Sequence, residues 1–228
     1  MAWISKPAYE PACLTDPLTE SNCYIFTSHN RALLIDPNNS DLIIPYLKEK
    51  ELILETIVLT HEHCDHIGGL NTLRSSGNVQ VIASKPCSDG IQSTKINMTR
   101  MMESYLYFKS NGKLRVSYPR FTCQPADRSF SGTNYMFSWH NFTFHCLLVP
   151  GHTPGSTCIT VNGTMLFSGD YFIPGEDVIT RLPGGDEQAY EQIGKQLLRE
   201  LPTPMWTYPG HGLPFILTEE VKQHYGLY

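Results

Sequence analysis

The chain has 228 residues, 41% hydrophobic and 17% charged, enough for one large α/β domain or two small cores. Seventeen basic residues against 22 acidic ones give a net charge of −5, which argues against a surface built to coat nucleic acid. Seven scattered cysteines with no Cys-x-x-Cys pair argue against a disulfide framework or a structural zinc ribbon. No apolar run approaches the ~18 residues of a membrane span, and residues 1–11, with Lys6, Pro7 and Glu10, lack the apolar core of a signal peptide. The expectation is a soluble cytoplasmic protein in a reducing compartment, with no membrane or nucleic-acid partner.

Short strands alternate with helices along the chain. Residues 22–27 and 32–35 are β-prone runs joined by a turn at Ser28-His29-Asn30. Ser40 can cap a helix over 41–50, with Pro45 in or just after its first turn. Residues 56–60 form an apolar, β-branched run of the kind covered on both faces; it ends at His61, and Ile67-Gly68-Gly69-Leu70 opens the next helix. Residues 79–83 read as another buried strand.

Over 84–130 the rhythm is lost. A helix over 99–109 offers Met101, Met102, Tyr105, Leu106 and Phe108 for burial, with polar and basic neighbours. The segment holds eight cations and three acids, +5, against −10 for the rest, and reads as a basic helical insert or lid on a single domain spanning 1–228. Strands follow at 135–139, 142–149, 156–161 and 165–167, with a hairpin turn at Asn162-Gly163. An amphipathic helix over 186–200 has Asp186 near its cap and Leu197, Leu198 and Leu201 inside. A strand at 206–208 and a helix capped by Thr218 close the chain. The pattern is α/β with mixed sheets.

The chemistry concentrates in His61-Glu62-His63-Cys64-Asp65-His66, directly after a buried strand. Three imidazoles and a carboxylate there are costly to bury unless a metal compensates. In extended backbone, residues 61, 63 and 65 project to one side and His66 approaches from another, a division that suits two metals better than one. Three more potential ligands follow β-runs among Gly and Pro: His152 in Gly-His-Thr-Pro-Gly-Ser, Asp170 in Ser-Gly-Asp, and His211 in Pro-Gly-His-Gly.

These residues, in this order and context, resemble the metal set of the metallo-β-lactamase-fold hydrolases over roughly residues 20–215. The resemblance implies a four-layer αββα sandwich of two mixed β-sheets. It also implies one metal on His61, His63 and His152 and a second on Asp65, His66 and His211, with Asp170 bridging. The ions it implies are two divalent cations, zinc first, with iron or manganese as alternatives. Leu182-Pro183-Gly184-Gly185-Asp186 is similar to a segment of compact bacterial glyoxalase II-like proteins, and a similar architecture occurs in zinc hydrolases of polyketide and peptide assembly lines. Arg181 departs from the glyoxalase II pattern.

The implied activity is hydrolysis of an acyl thioester by a hydroxide shared between metals about 3.5–4 Å apart, with Asp65 orienting the nucleophile or passing a proton. Tyr171 or Tyr190 could bond the substrate. The basic segment suits a phosphate-bearing carrier such as coenzyme A or an acyl carrier protein. Two other readings stand beside this one: a mononuclear-iron persulfide dioxygenase, and a metal-binding effector or sensor with incidental hydrolysis. Cys64, between two ligands, is expected to face away from them, and Glu62 to be solvated or to support the ligands. His29, His140, His145 and His224 lie outside the pattern.

Overall fold

The computed structural model describes residues 6–228; residues 1–5, part of the amino-terminal stretch read above against a signal peptide, lie outside the described residues. Two mixed six-stranded sheets face each other. The first contains β1 (Ala12–Thr15), β2 (Asn22–Ser28), β3 (Arg31–Ile35), β4 (Ile53–Val58), β5 (Gln80–Ser84) and β6 (Arg128–Phe130), in that order across the sheet. Its β1–β3 edge is antiparallel and β3–β6 are parallel. The second sheet contains β7 (Asn134–Trp139), β8 (Phe142–Leu148), β9 (Thr157–Val161), β10 (Met165–Gly169), β11 (Met205–Pro209) and β12 (Phe215–Leu217), again in sequence order. Only its β10–β11 pair is parallel.

Strand periodicity builds the layers. In β2, Tyr24 and Phe26 face the second sheet, whereas Cys23 and Ile25 join the core beneath the outer helices. In β10, Met165 and Phe167 face inward and Leu166 faces the helices on the far side. The outer layer on the first sheet includes α1 (Ser40–Glu49), α3 (Leu70–Ser75) and α4 (Lys85–Gly90). The layer on the second sheet includes α7 (Lys195–Arg199) and α8 (Glu219–His224). The expected αββα sandwich is the fold.

Several local expectations change. Asn39, rather than Ser40, caps α1 by accepting from the Asp41 N–H at 2.9 Å, and Pro45 lies in the second turn. The helix expected to open at Ile67 begins earlier, as α2 (Cys64–Ile67), so Asp65 and His66 already lie in a helical turn. The 99–109 helix shortens to α5 (Met102–Lys109); Met102 and Leu106 are buried, but Phe108 is 74% exposed. The helix over 186–200 is interrupted: α6 (Glu187–Ala189), with Asp186 at its cap, gives way to a π-helical turn (Tyr190–Gly194) before α7. Gly194 sits there against the Pro150 carbonyl, where a Cβ would come within 2.6 Å of that oxygen. Thr218 caps α8 as expected. Asn162 and Gly163 both take positive φ, which the β9–β10 hairpin requires.

Six of the seven cysteines are buried and Cys13 is exposed; none forms a disulfide. Burial pushes the Cys123 and Cys146 thiols up to about 12. Since the thiolate is the reactive form, a thiol reagent should label Cys13 alone in the native protein, and the other six only after unfolding. Rapid labelling of two or more native thiols would contradict this packing. No helix among the described residues is long and apolar enough to cross a membrane.

Candidate metal centre

Each of the seven expected ligands follows the end of a strand, and the two sheets bring these ends together along one edge. His61 and His63 come after β4, with Asp65 and His66 in α2; His152 follows β8, Asp170 follows β10 and His211 follows β11. The seam is stitched by backbone: Thr157 donates to the Thr60 carbonyl at 2.8 Å and Asn22 to the Gly210 carbonyl at 2.8 Å. Asn22 also holds the His211 loop through Nδ2, which donates to the Pro209 carbonyl (3.1 Å) and the Gly212 carbonyl (2.8 Å). Gly210 makes the close approach possible, because a Cβ there would fall 2.3 Å from Asp170 Oδ1.

Three three-residue groups result, each with one ligand-type atom per residue and all three atoms within 4.8 Å: His61, His63 and His152; Asp65, His66 and His211; and Asp36, His61 and His66, in which the Asp36 oxygens are already taken by Thr60 and the His66 ring. Asp170 lies between the first two. Its Oδ2 is 3.5 Å from His152 Nε2, 3.7 Å from His211 Nε2 and 3.9 Å from His61 Nε2, and its Oδ1 is 3.3 Å from His66 Nε2. The partition differs from simple strand alternation. His63 ends the extended backbone, and the turn of α2 carries Asp65 away from His61 and His63 to the His66 side.

Hydrogen bonds fix which ring nitrogen is free in four of the five imidazoles, all but His211. A carbonyl can only accept, so Pro183 O at 3.2 Å takes the proton of His63 Nε2, and Ile179 O at 2.7 Å that of His152 Nδ1. This leaves His63 Nδ1 and His152 Nε2, 3.1 Å apart, with free lone pairs. Asp36 Oδ2 lies 3.0 Å from His66 Nδ1 and accepts from Thr60 Oγ1 at 2.6 Å. Thr60 Oγ1 therefore accepts from His61 Nδ1, 3.0 Å away. His61 Nε2, His66 Nε2, His211 Nδ1 and Asp170 Oδ1 stay buried without a hydrogen-bond partner. Buried lone pairs converging from two sides, on rings that for His61, His63, His66 and His152 are oriented through the other nitrogen, are the donor set that divalent cations require, so the residues fit two such ions.

Electrostatics separate the two groups. Burial holds His61 well below the ordinary histidine range, lowers His152 and brings His63 down to about 3, which favours the neutral rings that a metal would need. Burial also works against charge on His66 and His211, but Asp170 and Asp65 outweigh it and raise both. Despite burial, His66 and His211 keep the Asp65 and Asp170 carboxyls below their usual range. The second group thus favours a positive charge, which either protons or a metal can supply.

The main residue missed from sequence is Asp36, after β3. It takes a left-handed φ of 56° and spends its oxygens on Thr60 and His66, which makes it a support for two rings rather than a free ligand. An acid at the end of a buried strand, just before Pro37, was the available signal. Tyr171 is unsuited to substrate: it is buried, donates to the Val149 carbonyl at 2.6 Å and stacks on Tyr190, also buried. The cleft at the metal groups is instead lined by Tyr105, Lys109, Glu176, Asp177 and Leu182, among others. Cys64 packs with Met98, Met102 and Leu106, away from the ligands. Glu62 is fully buried rather than solvated, and burial pushes its carboxyl up to about 7. His140 and His145 bond Glu55 and Asn134, far from the cleft in the fold.

Comparison with known proteins agrees with this geometry. Residues 16–86 match the family model of the metallo-beta-lactamase superfamily. The chain is 28% identical over 204 residues to the "Probable metallo-hydrolase YqgX" of Bacillus subtilis (strain 168), covering 88% of this chain and 90% of that one. It is 26% identical over 208 residues to "Hydroxyacylglutathione hydrolase GloC" of Haemophilus influenzae, covering 90% and 92%. Among solved structures, the BLEG-1 B3 metallo-beta-lactamase superposes with a TM-score of 0.76 at 23% identity, covering 96% of this chain and 99% of that one, a likeness of fold.

Proposed function

We propose that this chain, which carries a metallo-beta-lactamase superfamily domain, is a dinuclear metal-dependent hydrolase of acyl thioesters. The observation that carries the proposal is the pair of ligand groups meeting at Asp170 on the floor of a cleft. His61, His63 and His152 would hold one ion, and Asp65, His66 and His211 the other, with Asp170 shared. When bound, two divalent ions, zinc first, supply an acidified water and polarise a carbonyl.

The chain's own groups do the rest. The Asp65 carboxylate, 3.4 Å from His211 Nε2 and 3.8 Å from His66 Nε2, stays ionised and orients the attacking water by accepting its proton in a hydrogen bond. Asp36 and Thr60 hold the His66 and His61 rings against rotation. A thiolate leaves without protonation, so the reaction requires no separate general acid. The similarity to a hydroxyacylglutathione hydrolase supports a thioester.

The basic segment narrows to one residue at this cleft. Of its eight cations, Lys109 alone, among the described residues, lines the cleft beside the ligands. Lys85 pairs with Asp89, and Arg115 lies over the Tyr107 ring. Lys109 pairs with Glu20 at 4.0 Å and shares the cleft lining with Glu176 and Asp177, so its pull on an anionic carrier is moderate.

The test is hydrolysis of coenzyme A, glutathione and uncharged N-acetylcysteamine thioesters before and after chelation. Turnover should vanish on chelation and return with zinc; absence of metal-dependent hydrolysis of all three would refute the proposal. Lys109→Met should raise KM for the coenzyme A ester about two- to fivefold and leave that for the uncharged ester unchanged.

A further inference from the structure

Glu62 is flanked by His61 and His63, has no exposed surface, and has no Lys or Arg partner among the described residues. An acid in such a place is expensive, so its neighbours indicate what it does. Its Oε2 accepts from Thr153 Oγ1 at 2.9 Å, and Thr153 directly follows His152. Thr153 is in turn held by Ser156, whose Oγ lies 2.9 Å from Thr153 Oγ1 and accepts from the Thr153 N–H at 3.1 Å.

Around this side chain, two loops and the end of α4 contribute a glycine each. A Cβ on Gly155 would lie 2.4 Å from Glu62 Oε2, one on Gly90 2.7 Å from its Cγ, and one on Gly184 3.9 Å from its Oε1. Gly184 follows Pro183, whose carbonyl orients His63. Ser84, the cap of α4, ties the same region by donating to the Gly155 carbonyl at 2.7 Å. The cradle thus joins the backbone of His61 and His63 to the loop of His152 and to the loop that orients His63.

We infer that Glu62 is a positioning residue for the His61, His63 and His152 group, acting through its hydrogen bond to Thr153 to lock the His152 loop against the His61–His63 strand end. The inference rests on the proposed reading of those three histidines as a metal site. A surface role is excluded by burial, and Glu62 belongs to none of the groups whose atoms converge as ligands: Thr153 takes Oε2, and Oε1 lies buried against the Gly184 side of the cradle without a hydrogen-bond partner. Removing the strut frees His152 to move while leaving Asp65, His66 and His211 undisturbed, so the effect falls on one ion of two.

The experiment compares wild type, Glu62→Gln, Glu62→Ala and Thr153→Val by zinc titration against a chromophoric chelator, with melting curves in the presence and absence of zinc. Wild type should hold two equivalents. Glu62→Ala and Thr153→Val should weaken one equivalent about 10- to 100-fold, the usual effect of losing a ligand's support. Glu62→Gln, which keeps the size and an acceptor, should restore most of that loss. In a His211→Ala background the single remaining equivalent should be the one that Thr153→Val weakens. Thr153→Val carries the test if Glu62→Ala does not fold, because it deletes only the hydroxyl donor. A merely structural Glu62 would lower the zinc-free melting temperature of Thr153→Val and Glu62→Gln and leave zinc affinity unchanged; that result overturns the inference. So does equal affinity at both sites in every variant when wild type holds two ions. Wild type that holds no zinc overturns the metal reading itself, and the inference with it.

Discussion

Asp170→Asn should cost at least about 100-fold in kcat/KM on any thioester the protein hydrolyses, and should reduce the bound zinc below two equivalents. The reason is geometric. One carboxylate lies 3.3–3.9 Å from imidazole nitrogens of four residues, His61, His66, His152 and His211, drawn from both groups. An amide keeps the shape but replaces an anionic oxygen with an N–H donor. That donor would point at lone pairs which the rest of the site keeps free, while the compensating charge disappears. Even groups that only orient a ligand are worth 10- to 100-fold, so the shared group sets a floor rather than a ceiling. Metal analysis together with steady-state rates checks it. A variant that keeps two ions and reacts within tenfold of wild type would show that Asp170 is not shared.

Phe26→Ala should lower stability by about 3–5 kcal/mol, the largest effect expected from a single change outside the site. Phe26 is fully buried at the middle of β2 and fills the space between the sheets. Its ring contacts Phe142, Phe144 and Phe167 at centroid distances of 5.1, 5.4 and 5.4 Å, each edge-on, and stacks on Tyr9 at 5.6 Å. Truncation removes the transfer energy of the ring and leaves a cavity bounded by aromatic rings from two strands of the opposite sheet, β8 and β10, which cannot all close on it. Denaturant unfolding with an unchanged m-value would give the number. A loss below about 1 kcal/mol would mean that the sheets slide together to fill the gap.

The parts of this molecule that were legible in the sequence are those dictated by local pattern. The alternation in β2 and the continuous apolar run in β4 mark strands because each side chain has a fixed face. The candidate ligands stand out because histidines and acids after buried strands need compensation. The illegible parts depend on partners distant in sequence. β1, β6 and β12 are three or four residues long, and only their neighbours make them strands. The 84–130 segment ends by adding β6 to the first sheet, which nothing in Arg128-Ser129-Phe130 foretells. The division of His61, His63 and Asp65 between two groups turns on where α2 begins, a boundary of two or three residues that propensity does not resolve. Asp36 was hidden because its role is to support residues 24 and 30 positions away. Phe108 was assigned to the core on hydrophobicity alone, and α5 turns it outward.

The seam between the sheets has a consequence for folding. His61, His63, Asp65 and His66 come from the first half of the chain, and His152, Asp170 and His211 from the second. Neither proposed ion could find its three ligands until the two halves are docked, so neither half nor the unfolded chain would compete for it in full. Each ion is then a ligand of the docked state only. By mass action, free zinc at a hundred times its dissociation constant would contribute about 2.7 kcal/mol per site to holding the sheets together. The melting temperature of this protein would accordingly track the zinc activity around it, and cells short of the metal would hold a less durable molecule as well as a less active one.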